Sequence, residues 1–342
     1  METPALACEE NLPCYCLDIR LAATTDTQLD GWIGAVLRNN LLYACEQVEI
    51  TEEKKTLYHY LNTIPLKANH PLYKELENGF PPPYYLYPHK NYGFRSSTLI
   101  KKGDIVSFSL VLIGSTLAAY YSYFIEAIRI MCHRGFGVNM PSFTLIDVSE
   151  NSLKGNSSIL ATSEIDFSNK LSFPITYSFF ADLFLSNSII GIGLQLLTPL
   201  NLNKRPRKDD KGQLYKATDS PISGFYQLIR SVANRFLKLN VLYLFPDDIQ
   251  RYEALRESLN YYINESLSCT LEEADILRVH MRANQRKDTG KCILFNGYIG
   301  KLVFQGNCNA YLPLLAFMQY LGIGHNISYG LGKYSIDTII SK

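Results

Sequence analysis

The sequence predicts an α+β protein of two tandem halves, each an antiparallel sheet with helices on one face. Three observations carry this. Apolar residues recur at helical spacing in some stretches and cluster at strand length in others. The order of these stretches is the same in both halves. Both halves also end alike, on a helix, then glycine, a bulky apolar residue, glycine and a strand. Cys132-His-Arg-Gly-Phe-Gly-Val138 matches Ile327-Ser-Tyr-Gly-Leu-Gly-Lys333 in this respect. Internal duplication is the organising expectation.

The elements follow in order. Cys14 to Ala22 is a strand, and Asp30 caps a helix whose apolar face is Ile33, Val36, Leu37, Leu41 and Ala44. Pro81-Pro82-Pro83 starts the extended segment Tyr84 to Tyr87. Asp104 to Ile113 is a strand, Ala118 to Cys132 a helix, and Ser142 to Val148 a strand. The Ser, Asn and Gly-rich segment Asn151 to Ser158 marks a boundary, giving domains 1–152 and 153–342. In the second half, Ile189 to Thr198 is a strand. Phe225, Leu228, Ile229, Val232, Phe236 and Leu239 line one side of a helix. Asp247 to Cys269 is an inserted helix, Ile276 to Arg282 and Lys291 to Phe304 are strands, Tyr311 to Leu321 is a helix, and Lys333 to Ile340 closes. Each half fits a β-α-β-β-α-β unit, that is, a ferredoxin-like (RRM-like) domain. One sheet face in each is left for a partner, and modules of this topology use it for single-stranded RNA.

Composition narrows the function. With 342 residues, 47% apolar and 19% charged, the chain can bury substantial cores. A formal net charge of +1 gives no whole-molecule attraction to polyanions, so any such site is a local patch. The eight cysteines form no Cys-x-x-Cys pair and read as reduced thiols of a cytoplasmic protein without a secretory signal. Ser107 to Met131 and Phe173 to Leu200 approach spanning length. Gly114-Ser-Thr and Ser186-Asn-Ser with Gly191 and Gly193 break them, so strand and helix cores are expected and no membrane. No histidine or carboxylate spacing supports a metal, and no cofactor is expected.

Four glycines, Gly322, Gly324, Gly330 and Gly332, fall in eleven residues near the C-terminus. Such density implies positive φ angles or close approach of the backbone to something. A phosphate-binding fingerprint runs from strand to helix, whereas here the helix precedes and the strand follows. Two roles stay open: a wide helix-to-strand turn, or a loop whose main-chain amides touch a ribose-phosphate strand. Gly324, Asn326, Ser328, Gly330, Gly332 and Lys333 are the candidate contacts in the second case.

These segments together resemble the CRISPR-associated endoribonucleases of the repeat-associated mysterious protein (RAMP) superfamily. The resemblance rests on Gly324 to Gly332, Gly135-Phe-Gly137, Leu110-Val-Leu-Ile-Gly114, Pro81-Pro-Pro-Tyr84 and Thr198-Pro-Leu-Asn-Leu202. Arg282-Ala-Asn-Gln-Arg286 leading to Asn296-Gly-Tyr-Ile-Gly300 completes it. It implies metal-independent cleavage of CRISPR repeat RNA to crRNA, or a non-catalytic crRNA-binding subunit. It also implies partners among CRISPR effector or adaptation proteins.

Cleavage without metal uses the substrate's 2′-hydroxyl as nucleophile and needs proton transfer at the attacking and leaving oxygens. Histidine suits that work, and such help supplies roughly a hundredfold to ten-thousandfold. In relatives a histidine and a tyrosine often come from the first helix and the loop after it. Here that helix carries Tyr43 and no histidine, and His59 follows it. His325 lies inside the glycine-rich run. His59, His325 and Tyr43 are therefore the catalytic candidates. His59 reads equally as a surface residue and His325 as a turn residue, while His280 reads as plain sheet surface. For RNA contact, Lys204, Arg205, Arg207 and Lys208 form one basic run. Arg278, Arg282, Arg286 and Lys287 form a second. Each could instead be a solvated charged surface.

Overall fold

The structure is a computed structural model. It describes residues 11–51, 53–77, 79–89, 97–167, 170–184, 189–202, 224–285 and 292–341. The first half comprises β1 (Cys14–Ala23), α1 (Ile33–Gln47), β2 (Tyr84–Pro88), β3 (Ile105–Ile113), α2 (Tyr121–Arg134) and β4 (Phe143–Asn151). A further strand, β5 (Ser157–Ala161), pairs with β4. The second half comprises β6 (Ile189–Leu200), α3 (Phe225–Tyr243), α4 (Ile249–Glu265), β7 (Thr270–Gln285), β8 (Cys292–Gln305), α5 (Leu312–Met318) and β9 (Tyr334–Ser341).

Strand order is β2-β3-β1-β4-β5 in the first sheet and β7-β8-β6-β9 in the second. Counting the four principal strands of each half in sequence, both orders are 2-3-1-4. The shared topology is the ferredoxin-like arrangement, present twice.

Alternation decides which face each strand buries. On β1, Leu17, Ile19 and Leu21 enter a core shared with α1 and α2. Val36, Leu37 and Leu41 of α1 and Phe124 and Ile128 of α2 close that core. In the second half Ile192, Leu194 and Leu196 of β6 pack on Phe225, Leu228 and Val232 of α3 and on Leu314 and Leu315 of α5. Leu194 lies opposite Leu302 of β8 and Ile336 of β9, so one layer of leucine and isoleucine crosses three strands.

Several details depart from the sequence expectation. The outer face of the first sheet is not wholly open. Cys14, Cys16, Tyr85, Val111 and Ile113 on that face are buried in the second core, because their apolar side chains find α3 and its neighbours there. Asp30 does not cap α1. It ends a short strand, Thr27–Asp30, and Gly31 turns the chain at φ 84° before Trp32 precedes the helix. Asp248, by contrast, caps α4 by accepting from the Arg251 amide at 3.0 Å. The last helix spans seven residues, since the chain turns after Met318. Among the described residues no helix is long and apolar enough to cross a membrane. The two long apolar stretches become β3 with α2, and the helix Tyr177–Phe184 with β6.

Candidate functional site

The glycine-rich run is lodged between the halves. Its main chain is tied to its own ends and to the end of β6. Ile323 N donates to Gly332 O at 3.0 Å, Gly332 N to Pro199 O at 3.1 Å, and His325 N to Asn201 O at 2.9 Å. Lys333 N donates to Thr198 Oγ1 at 2.8 Å. These amides are engaged within the protein. The carbonyls hold the first half: Tyr329 O accepts from the Trp32 indole at 2.6 Å, and Leu331 O accepts from the Tyr85 hydroxyl at 3.2 Å. From behind, the buried Arg235 guanidinium of α3 donates to Leu321 O at 2.9 and 3.2 Å. Burial lowers the pKa of Arg235 to about 10.

The packing explains the glycines. A Cβ on Gly332, which sits at φ +75°, would meet Ile323 O at 1.8 Å. A Cβ on Gly330 would lie 2.9 Å from Leu86 O of β2. The small residues let the run touch protein backbone on both sides.

Two arginines lie on tyrosines, one at this joint and one within the first half. The Arg38 guanidinium of α1 stands 4.5 Å from the Tyr329 ring, which also meets Phe295 of β8 at 4.9 Å. Arg134, in the last turn of α2, covers the Tyr43 ring at 3.6 Å and donates to Asn40 Oδ1 at 3.3 Å. The Arg38 Nε is buried without a hydrogen bond. Neither arginine was singled out in sequence. A cation on the first helix and another at the end of the second were the available signals.

The expected catalytic residues fall in different surroundings. Tyr43 is exposed on α1 beneath Arg134. His59 is exposed on the short helix Leu57–Asn62, with Nδ1 3.4 Å from Thr63 Oγ1 and its ring edge-on to Tyr60 at 5.7 Å. No hydrogen bond or ring contact joins His59 to Tyr43. Next to His59, the Tyr60 and Tyr120 hydroxyls donate to the Glu53 carboxylate and hold its pKa below the usual range.

His325 has a neighbour the sequence did not reveal. His280 Nδ1 lies 2.7 Å from Asn296 Oδ1, across the β7–β8 pair. Asn296 O accepts from Asn201 Nδ2 at 3.1 Å, and Asn201 O accepts from His325 N. Two exposed histidines from distant segments therefore border one hydrogen-bonded chain. Arg278 is exposed beside them, opposite Tyr298. Arg278, His280 and Arg282 alternate along β7, so they share a face as the sequence suggested. Lys204, Arg205, Arg207, Lys208, Arg286 and Lys287 lie outside the described residues, and Arg282 is described for its backbone alone. Asn326 is left-handed at φ 59°, and Ser328 is on the short turn Ile327–Tyr329.

Lys333 points inward. Its Nζ donates to Gln319 O at 2.7 Å and stands 4.3 Å from the Tyr87 ring centre and 5.2 Å from that of Tyr320. Burial brings its pKa down to about 8, against the pull of Cys16 and Asp18. Asp18 accepts from Ser109 Oγ at 2.6 Å and from Asn151, and lies 3.2 Å from His89 Nε2. Burial raises the Asp18 pKa, but those donors outweigh it and the carboxyl titrates below its ordinary range. Among the described residues no cluster of metal-ligating side chains occurs.

Two ferredoxin-like halves meeting at a glycine-rich run define the class of fold. Residues 194–334 match the family model for the CRISPR-associated endoribonuclease Cas6. Residues 12–171 match a second family model, AF_1859_N, described as an N-terminal domain. Among solved structures, Cas6 of Thermus thermophilus in a product complex is similar at 14% identity and a TM-score of 0.54. The match covers 95% of this chain and all of that one. A partial Cas6-RT-Cas1–Cas2 complex gives 12% identity and 0.54, with 98% of this chain matching 49% of that chain. At these identities the likeness establishes the fold. No curated protein matches the chain in sequence.

Proposed function

We propose that the protein cleaves CRISPR repeat RNA to crRNA without a metal ion. The substrate's 2′-hydroxyl attacks the adjacent phosphorus, the bond to the 5′-oxygen breaks, and a 2′,3′-cyclic phosphate and a 5′-hydroxyl result. The family match supports the substrate class. The observation that carries the chemistry is the chain His280–Asn296–Asn201–His325 beside Arg278. His280 is tied to that chain by its ring and His325 by its main-chain amide, and their two exposed imidazoles are proposed to take a proton from the attacking hydroxyl and return one to the leaving oxygen. Arg278 supplies charge where the phosphorane becomes more anionic. Arg38 and Arg134, each placed over a tyrosine ring, are proposed to present cations to the flanking strand. Gly324, Asn326 and Ser328 are proposed to border that strand, and His59 with Tyr43 remains a second catalytic candidate set.

A second function, RNA binding without turnover, is favoured by one observation: α1 carries no histidine. CRISPR effector or adaptation proteins are proposed partners, since a similar unit forms part of the longer Cas6-RT-Cas1–Cas2 chain. A cytoplasmic location accords with that role. The two halves are proposed as folding domains, divided after β5, because that strand completes the first sheet rather than opening the second.

Cleavage of cognate repeat RNA in EDTA is the test. Products should carry the cyclic phosphate, and a 2′-deoxy at the scissile position should block the reaction. His325→Ala and His280→Ala should each lower the single-turnover rate by about a hundredfold or more. Loss in His59→Ala alone would move the active site to the first half. Tight binding without product would leave the binding function.

A further inference from the structure

Cys269 and Cys308 meet at the foot of the β7–β8 hairpin. Cys269 immediately precedes Thr270, which pairs with Gln305, and Cys308 lies three residues beyond that pair. The Cys308 thiol donates to Cys269 Sγ at 3.9 Å. The residues are 5% and 0% exposed. Gly306 flanks Cys269 without a side chain: a Cβ there would lie 3.2 Å from the Cys269 sulfur. Among the described residues no other two cysteines are in hydrogen-bond contact.

We propose that this pair is an oxidative modification site, in which a hydroperoxide converts the two thiols to an intramolecular disulfide. Cys269 is the attacking sulfur. The hydrogen bond from Cys308 holds its pKa below the ordinary thiol value, whereas the Cys308 thiol is raised by giving that bond and by burial. The Cys269 thiolate attacks one oxygen of hydrogen peroxide and the O–O bond breaks. The departing hydroxide takes up a proton as water, and Cys269 becomes a sulfenic acid. The sulfur of Cys308 then attacks the Cys269 sulfur. The S–O bond breaks, a second water leaves with the thiol proton, and the S–S bond forms. Two thiols lose two electrons and one peroxide gains them, giving two waters. The sulfurs must close from 3.9 Å to about 2.0 Å, a change within side-chain rotation and a small shift of the turn at Gly306.

The bond would fasten the start of β7 to the turn that opens α5. The hairpin it closes carries Arg278 and His280, and α5 leads into the glycine-rich run. Oxidation would thus stiffen the base on which both histidines of the joint are mounted. A crosslink of this span also restricts the unfolded chain.

The test uses the full chain, reduced and then exposed to stoichiometric hydrogen peroxide. Peptide mapping without reductant should recover one linked peptide joining Cys269 to Cys308. Titratable thiols in denaturant should fall by two from the eight present, and dithiothreitol should restore them. The oxidised wild type should melt a few degrees higher. C308S should accumulate a sulfenic acid at position 269 that dimedone captures, and C269S should retain all its remaining thiols. Absence of the linked peptide from the wild type would overturn the proposal, with no variant needed. Overoxidation at Cys269 while Cys308 stays free would overturn it as well.

Discussion

The indole nitrogen of Trp32 donates to the main-chain carbonyl of Tyr329 at 2.6 Å, joining the start of the first helix to the C-terminal glycine-rich run. Trp32 is 2% exposed and is the single tryptophan of the chain. Its replacement by phenylalanine keeps most of the apolar volume and removes the donor. A half-buried carbonyl then loses a partner, a change that costs up to about 1–3 kcal/mol, the value for a fully buried group. Trp32→Phe should lower the urea midpoint accordingly by circular dichroism, and should slow the proposed RNA cleavage through the loosened joint. An unchanged midpoint would show that the bond contributes nothing to docking of the halves.

Gly34 gives a sharper test of the same joint. It lies inside α1, where glycine to alanine normally gains about 1 kcal/mol. Here an added Cβ would sit 2.4 Å from Tyr329 O and 2.5 Å from the Trp32 indole nitrogen. The propensity gain is outweighed, since forced overpacking costs about 1–3 kcal/mol. Gly34→Ala should therefore destabilise the whole protein. A stabilising outcome in a thermal melt would mean that the glycine-rich run does not press on α1.

The expected elements were legible because each rests on local periodicity. Ile33, Val36, Leu37 and Leu41 declare a helix wherever they are placed, and Leu17, Ile19 and Leu21 declare a strand. What covers a face is not local. Cys14, Cys16 and Tyr85 read as a strand surface, yet the partner that buries them is the second half. Glycine density has the same ambiguity. Close approach to a ligand and close approach to another part of the chain need the same residue, and here at Gly330 and Gly332 the neighbour is protein backbone. Alternation with Val279 and Met281 marks His280 only as sheet surface. Its tie to His325 runs through Asn296 and Asn201, residues 95 apart in sequence.

Lys333 makes a prediction with a defined pH window. In the unfolded chain its ammonium keeps its proton until pH passes the ordinary value of 10.5, whereas in the folded protein it releases near 8. Between those values the unfolded state binds more protons, so this group makes stability rise with pH. Below pH 8 both states are protonated and the full burial penalty applies. Lys333→Met removes the titration. The stability of wild type relative to the variant should thus be flat below about pH 7 and climb between pH 8 and 10.5. Urea unfolding of both proteins across that range measures it, and a pH-independent gap would place the ammonium in water.

Arg38 and Arg134 separate charge from geometry at the proposed RNA surface. Each guanidinium is laid over a tyrosine, at 4.5 Å on Tyr329 and 3.6 Å on Tyr43. Stacking fixes the plane of a guanidinium, which a lysine ammonium cannot reproduce. If each cation meets one phosphate of a single strand, its removal should reduce the slope of log affinity against log salt by about 0.7. Arg38→Ala and Arg134→Ala should each do so, and the pair should lose about twice that. Arg38→Lys should keep the slope while still weakening binding, because the charge survives and its preset orientation does not. The readout is equilibrium binding of labelled repeat RNA over a salt series, with a thermal melt of each variant to confirm folding. A slope unchanged in both alanine variants would move the RNA path off α1 and onto the β7–β8 hairpin.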